Sequence, residues 1–168
     1  MTTLHAQPYD ISATGFYFKS ADEYADHAAR AVNGYGQPVE EFEIQFVDGD
    51  GIDCYLFGAL GVHQGETQAF FETVEEWAED DKIRVVIAVS ELGYRFNLGR
   101  DDPSRIDLDL YECDNLRDLA VQFVEDGLFG EIPAAIAHYL DYEAIARDLS
   151  MDYAETTIDG ARYIFRCG

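Results

Sequence analysis

Positive charge is what this chain has least of. Lys19 and Lys82 are its only lysines, and Lys and Arg together number 11 against 34 Asp and Glu, a formal net charge of -23 at pH 7. A partner held through its phosphates is excluded on that balance, because nucleic acid and anionic membranes would both be repelled. Cysteine is sparse too. Cys54, Cys113 and Cys167 are odd in number and far apart, with no C-x-x-C, and read as reduced thiols with a structural role. His5, His27, His63 and His138 pair neither with one another nor with cysteine at metal-finger spacing, so no metal and no cofactor is expected. The longest apolar runs, such as Val85 to Val89, fall far short of the roughly 18 residues of a membrane span. The opening MTTLHAQPYDISATG has neither the basic region nor the apolar stretch of a secretory signal. A cytoplasmic protein is the expectation.

What is present argues for a packed fold. Hydrophobic residues make up 48% and aromatics 14%, which excludes the disorder that extreme charge otherwise suggests. At 168 residues the chain is one large domain or two to three small ones. Residues 14–19 predict a short strand. Ser20 and Glu23 form an S-x-x-E box opening a helix to Asn33, with Gly34 as its left-handed cap. In 39–47, Phe42, Ile44 and Phe46 alternate with Glu41, Glu43 and Gln45, a half-buried strand with an acidic wet face. Asp48-Gly49-Asp50-Gly51 reads as a turn. A helix is expected over 66–79, with Phe70, Phe71, Val74, Trp77 and Ala78 on its apolar side. Residues 82–92 are β-branched like a strand but flanked by cap-like Asp81 and Gly93, which favours a helix. Segment 97–105 is turn-rich and reads as a linker. Then come a strand over 106–112 and a helix capped by Asp114, with Leu116, Leu119, Ala120, Phe123 and Val124 inward and Gly127 as its stop. A second helical stretch follows Pro133, and a third carries Tyr142, Ile145, Ala146 and Leu149 on one face. A hairpin turning at Asp159-Gly160 closes the chain.

The arrangement of the acids is the informative feature. Glu72, Glu75, Glu76 and Glu79 recur at i, i+3, i+4 and i+7 on the helix expected over 66–79, with no Lys or Arg between them. Their like-charged neighbour pairs cost about 1–2 kcal/mol at low salt. Glu79 and Asp80 would also crowd the negative end of that helix's dipole. Glu41, Glu43, Asp48 and Asp50 line the first part of the chain, and Asp107, Asp109, Asp118, Glu125 and Asp126 the last. Duplex DNA carries one charge per roughly 1.7 Å, so the net charge equals about 40 Å of duplex. Three readings of the acidity stay open on composition: a generic solvated surface, adaptation to salt, and imitation of DNA. The 11 Tyr and 11 Phe weigh against salt adaptation, which weakens cores toward small residues.

Chemical motifs are few. Asp48-Gly49-Asp50-Gly51-Ile52-Asp53 begins like a calcium loop, but Asp53 and Ala59 stand where an EF-hand needs Gly and Glu. Solvated aspartates in a turn are the expectation there, with a weak divalent site as the alternative. No G-x-S-x-G, P-loop or G-x-G-x-x-G occurs, and nothing supports an enzyme.

Residues 128–149, LFGEIPAAIAHYLDYEAIARDL, are distinctive. Leu128, Phe129, Gly130, Glu131, Ile132 and Pro133, followed by Tyr139 and by Asp141-Tyr142, resemble the antirestriction motif of the ArdA family. AQPYDISATGFYF and VEEFEIQFVDGD are similar to that family's N-terminal region. The resemblance implies an elongated α+β protein of three small domains acting as a homodimer. The boundaries drawn from Gly and Pro punctuation agree with it: a mixed part over 1–60, a helical centre over 61–100, and a mixed part over 101–168 holding the motif 128–142. It also implies a DNA mimic that occupies the DNA groove of type I restriction-modification enzymes and inhibits them stoichiometrically. The acidic residues named above would be its contact surface. Within the motif, Gly130 and Pro133 would fix a turn, Glu131 and Asp141 cap or add charge, and Phe129, Tyr139 and Tyr142 anchor. A buried corner, a target contact and a share in a dimer contact are its three possible roles. The rival readings are an acidic structural or adaptor protein and a calcium-binding module using Asp48, Asp50 and Asp53.

Overall fold

The computed structural model describes all residues, 1–168, and gathers them into two compact units, Met1–Ile106 and Asp107–Gly168. The fold is mixed α+β with two three-stranded antiparallel sheets, one in each unit.

In the first unit, β1 (Thr3–Pro8) lies between β2 (Phe16–Phe18) and β3 (Phe42–Asp48). No strand is expected before residue 14, because TLHAQP is short, weak in β-formers and ends in proline. Yet β1 is the central strand, and it buries Leu4, Ala6 and Pro8 on one face. Its place is earned by pairing on both edges, Leu4 with Phe18 and with Phe46. Gly15 makes the return possible, since a Cβ there would stand 2.7 Å from the Ala6 carbonyl oxygen. β3 has the expected alternation, with Phe42 and Ile44 buried and Glu43 and Gln45 exposed.

The helices of this unit differ from expectation in their ends. Ser20 Oγ accepts from Glu23 N at 3.1 Å, as the box requires, but α1 (Ala21–Ala28) stops well short of Asn33. The Asn33 side chain competes with the helix: its Oδ1 accepts from the backbone N–H of Tyr35 and Gln37 and closes a turn instead. Directly after the Asp48–Asp50 turn, α2 (Gly51–Leu60) begins, a helix missing from the sequence reading. Its apolar residues are too evenly spread to show a period. The helix expected over 66–79 ends early, as α3 (Thr67–Glu76): Trp77 and Ala78 turn extended, and Glu79 opens the next helix, α4 (Glu79–Ser90). The helical preference for 82–92 therefore holds, with an earlier start. The segment expected as a linker folds back on the unit, burying Leu98 and Pro103. It is tied by Asp101, which accepts from Asn97, and by Asp102, which caps a 3-10 turn over Pro103–Arg105.

Rings connect sheet to helices. Phe18 meets Phe71 with centroids 5.9 Å apart, Phe46 meets Phe57 at 5.9 Å, and Phe57 meets Phe70 at 5.3 Å. Such pairs add about 0.5–1.5 kcal/mol each to their area burial.

The second unit runs β4 (Leu108–Glu112), α5 (Leu116–Glu125), α6 (Ala134–Ala137), α7 (Tyr142–Leu149), β5 (Ala154–Ile158) and β6 (Ala161–Cys167). β6 is central, between β4 and β5. Its hairpin turns as expected on Asp159 (φ 48°) and Gly160 (φ 83°), both in the left-handed region. Asn115, not Asp114, caps α5, its Oδ1 accepting from Asp118 N at 2.9 Å. Leu119, Phe123, Tyr153 and Ile164 form the core, with Tyr111, Leu116 and Leu149 against it. Gly127 (φ 77°) ends α5 as expected.

Candidate partner-binding surface

The expected contact residues fall into distinct environments. In the first unit, Glu41, Glu43, Asp48 and Asp50 are exposed around β3 and the turn after it. Glu43 and Gln45 share the wet face of the sheet with His5, whose Nδ1 lies 3.3 Å from Gln45 Oε1. Glu72, Glu75 and Glu76 are exposed along α3, opposite the buried Phe70, Phe71 and Thr73.

Glu79 does not continue that row. It opens α4, where Glu79, Asp80 and Asp81 make up the first turn. Carboxylates there face the positive end of the dipole and stabilise the helix by about 0.3–1 kcal/mol each, the reverse of the expected penalty. The like-charged pairs left on α3 are 72–75 and 72–76, worth together about 0.5–1 kcal/mol at low salt. Glu75 and Glu76 now hold the unfavourable C-terminal end of α3.

The Asp48–Asp53 turn is corrected more sharply. Asp53 is not solvated: its residue is 1% exposed and its Oδ1 accepts from Lys82 Nζ at 2.7 Å. The same ammonium donates to the Val74 carbonyl at 2.9 Å, a group the break after α3 leaves without a helical partner. An Asp committed to a buried cation is not a metal ligand, and no group of three or more His, Cys, Asp or Glu converges to hold one. The calcium reading loses its third carboxylate.

In the second unit, Asp107, Asp118, Glu125 and Asp126 are exposed, while Asp109 is half-buried and accepts from Arg166 Nε at 3.0 Å. Arg166 also lies 4.8 Å over the Tyr153 ring. Asp109 is thus part of a structural stack. It is the one expected contact carboxylate in an ion pair; the other ion pairs take Asp53, Glu66, Glu143 and Glu155.

The motif is not a buried corner. Leu128 is 62% exposed, Phe129 54%, Ile136 50% and Tyr139 78%. Gly130 (φ 87°) supplies the turn and Pro133 precedes α6, as expected. Asp141 Oδ1 caps α7 through Ala144 N at 3.1 Å, whereas Glu131 is free on the surface. Phe129 and Tyr139 lie outside the core of the second unit, the Tyr139 ring against its neighbour His138 at 4.1 Å. Tyr142 is half-buried beside Arg117, whose guanidinium carbon lies 5.9 Å from its ring centre. Ile136 is exposed in the same segment and was not singled out by the sequence; its small neighbours hide it.

No helix is long and apolar enough to cross a membrane. Among curated proteins the chain has no match. Residues 19–163 match the sequence model of the family described as Antirestriction protein (ArdA).

Proposed function

The chain belongs to the ArdA family of antirestriction proteins, and from that premise we propose that it blocks type I restriction-modification enzymes by standing in for DNA. Antirestriction is the activity the family carries. The mechanism is stoichiometric occlusion of the DNA groove in the methyltransferase core, with no bond made or cut and no cofactor.

One observation supports this most. Glu41, Glu43, Asp48, Asp50, Glu72, Glu75, Glu76, Glu79, Asp107, Asp118, Glu125 and Asp126 are exposed and outside ion pairs. Glu43, Glu72 and Asp118 each accept from one nearby side-chain amide, but no Arg or Lys neutralises any of these carboxylates, which leaves their charge for a partner's Arg and Lys through charge-assisted hydrogen bonds. Their summed field speeds encounter and is screened by salt. The chain acts in the cytoplasm, where its target works, and as a homodimer. The exposed apolar side chains of Leu128, Phe129, Ile136 and Tyr139, close together in sequence, support a dimer contact, because apolar contact lets two like-charged copies meet without pairing their carboxylates. The elongated three-part layout, 1–60, 61–100 and 101–168, belongs to the same proposal and is tested by small-angle scattering.

A competition measurement decides. Excess protein should displace a fluorescent duplex from a type I methyltransferase, with a stoichiometric end-point and weakening as salt rises. An acidic adaptor protein would leave the duplex bound.

A further inference from the structure

A patch of opposite charge lies in the segment after α4. Arg95, Arg100 and Arg105 line a cavity of about 370 Å³ with Tyr94, Phe96 and Ile106, and Asp101 and Asp102 complete the lining. All three arginines are exposed, and none takes part in an ion pair. In a chain with 34 acidic residues that is unexpected. The two carboxylates of the lining are hydrogen-bonded within their own loop, and Asp102 also feels the charge of Arg105. Asp101 Oδ2 accepts from Asn97 N at 2.7 Å and Nδ2 at 3.0 Å, and Asp102 Oδ1 accepts from Ser104 N at 2.9 Å and Oγ at 2.7 Å. These turns sit over the buried Leu98 and Pro103, so the guanidinium groups project from a fixed loop.

The ligand follows from charge and shape. At physiological salt a field decays over about 8 Å. A small anion in this cavity therefore feels mainly the lining itself, where three arginines outnumber the two aspartates. A duplex, an anionic membrane or a second copy of the chain would bring its charges against the remaining acidic surface as well. The apolar lining adds a further requirement. Phe96 is held edge-on against Trp77, with centroids 5.6 Å apart, which fixes one ring of the wall. Guanidinium groups bind phosphate oxygens in pairs and aromatic faces take a planar base, and the volume lies in the range of small-ligand sites.

We propose that this cavity binds a nucleoside polyphosphate, its phosphates on Arg95, Arg100 and Arg105 and its base against Tyr94 and Phe96. The site is independent of the antirestriction surface. Calorimetric titration of the full chain with ADP, pyrophosphate and adenosine at about 150 mM salt tests it. ADP should bind saturably at one site, more tightly than pyrophosphate, and adenosine should be weakest. R95Q, R100Q and R105Q should each weaken ADP by about tenfold, with melting temperatures unchanged because no hydrogen bond of the fold is lost; R30Q should leave binding intact. Absence of saturable ADP binding overturns the proposal, as does binding that survives all three substitutions. Pyrophosphate equal to ADP overturns the base contact, and adenosine equal to ADP overturns the arginine contact.

Discussion

Lys82 donates to Asp53 from 2.7 Å inside the first unit, with 8% of one side chain and 1% of the other exposed. In a chain with so little positive charge, one of two lysines is spent on a single buried carboxylate. Its second hydrogen bond, to the Val74 carbonyl, ties α2 and α4 to the end of α3. K82A leaves Asp53 buried without its cation and should cost about 3–5 kcal/mol in urea unfolding. The double change D53L/K82M removes both charges but orphans the Val74 carbonyl, and should cost only about 1–3 kcal/mol. A double variant as unstable as K82A would show that the pair is not what holds the three helices.

Break position decides the sign of the charge effects near residue 79. E79Q/D80N/D81N removes carboxylates from the favourable end of α4 and should lower stability by about 1–2 kcal/mol at low salt. E72Q/E75Q/E76Q relieves like-charge pairs and the unfavourable end of α3, and should raise it by about 0.5–1 kcal/mol. Both effects should fade near 1 M salt, where the screening length is about 3 Å. Thermal melts at two ionic strengths check this.

Local chemistry was legible where it repeats or caps. The alternation of β3, the apolar face of α5, the Ser20 cap and the Asp159-Gly160 turn all follow from residues close in sequence. What stayed hidden depends on partners far along the chain. β1 is a strand because it is paired on both sides, and α2 is a helix with no polar face to give it a period. The break at Trp77-Ala78 interrupts a stretch that is helical by propensity, and Lys82 stabilises it from outside. Asp53 reads as a turn residue because its cation lies 29 positions on. Exposure of the motif's rings was illegible for the same reason: apolar spacing says which residues seek cover, not whether this chain supplies it.

Two exposed turns should show acid-sensitive anchoring. Hydrogen bonds from Ser12 hold the Asp10 carboxyl below its ordinary 3.8, and those from Ser104 do the same for Asp102. A carboxyl depressed in the folded state contributes stability above its unfolded pKa and loses it as pH falls through the folded value. The amide proton shifts of Ser12 and Ser104 should therefore titrate with midpoints below 3.8. D10N and D102N should abolish the respective titrations. Midpoints at or above that value would mean the turns are not formed in solution.

Thiol reactivity should divide by burial. Cys54 and Cys167 are exposed, whereas Cys113 is half-buried and its pKa is raised, first by desolvation and then by Asp118, Glu155 and Asp114. At pH 8 a disulfide reagent should label Cys54 and Cys167 quickly and Cys113 slowly. A raised thiol pKa adds stability below the unfolded value, about 8.5, which is lost as pH climbs toward the folded one. C113S should flatten any decline in stability above pH 9. Equal labelling of all three would contradict the packing of Cys113 on the second core.

The exposed motif residues give a clean separation of folding from association. F129S/Y139S removes rings that contact no core, so the melting temperature should stay within a few degrees, about the shift expected for 0.5 kcal/mol. Sedimentation should nevertheless show a shift from dimer to monomer. A collapse of stability would instead return the motif to a structural role.

Inhibition should follow total charge more than the fate of any one carboxylate. E72Q, E75Q and E76Q singly should change the concentration needed to displace a duplex from a type I methyltransferase by less than about twofold, since exposed pairs are worth about 0–1 kcal/mol. The triple variants on α3 and α4 each remove three charges yet move stability in opposite directions, so they distinguish charge from folding. If the two weaken inhibition alike, the field of the whole surface governs the encounter. If only the α3 variant weakens it, that helix is the face that meets the enzyme. If neither does, the acids of α3 and α4 lie outside the contact, and the surface around β3 and α5 must carry it.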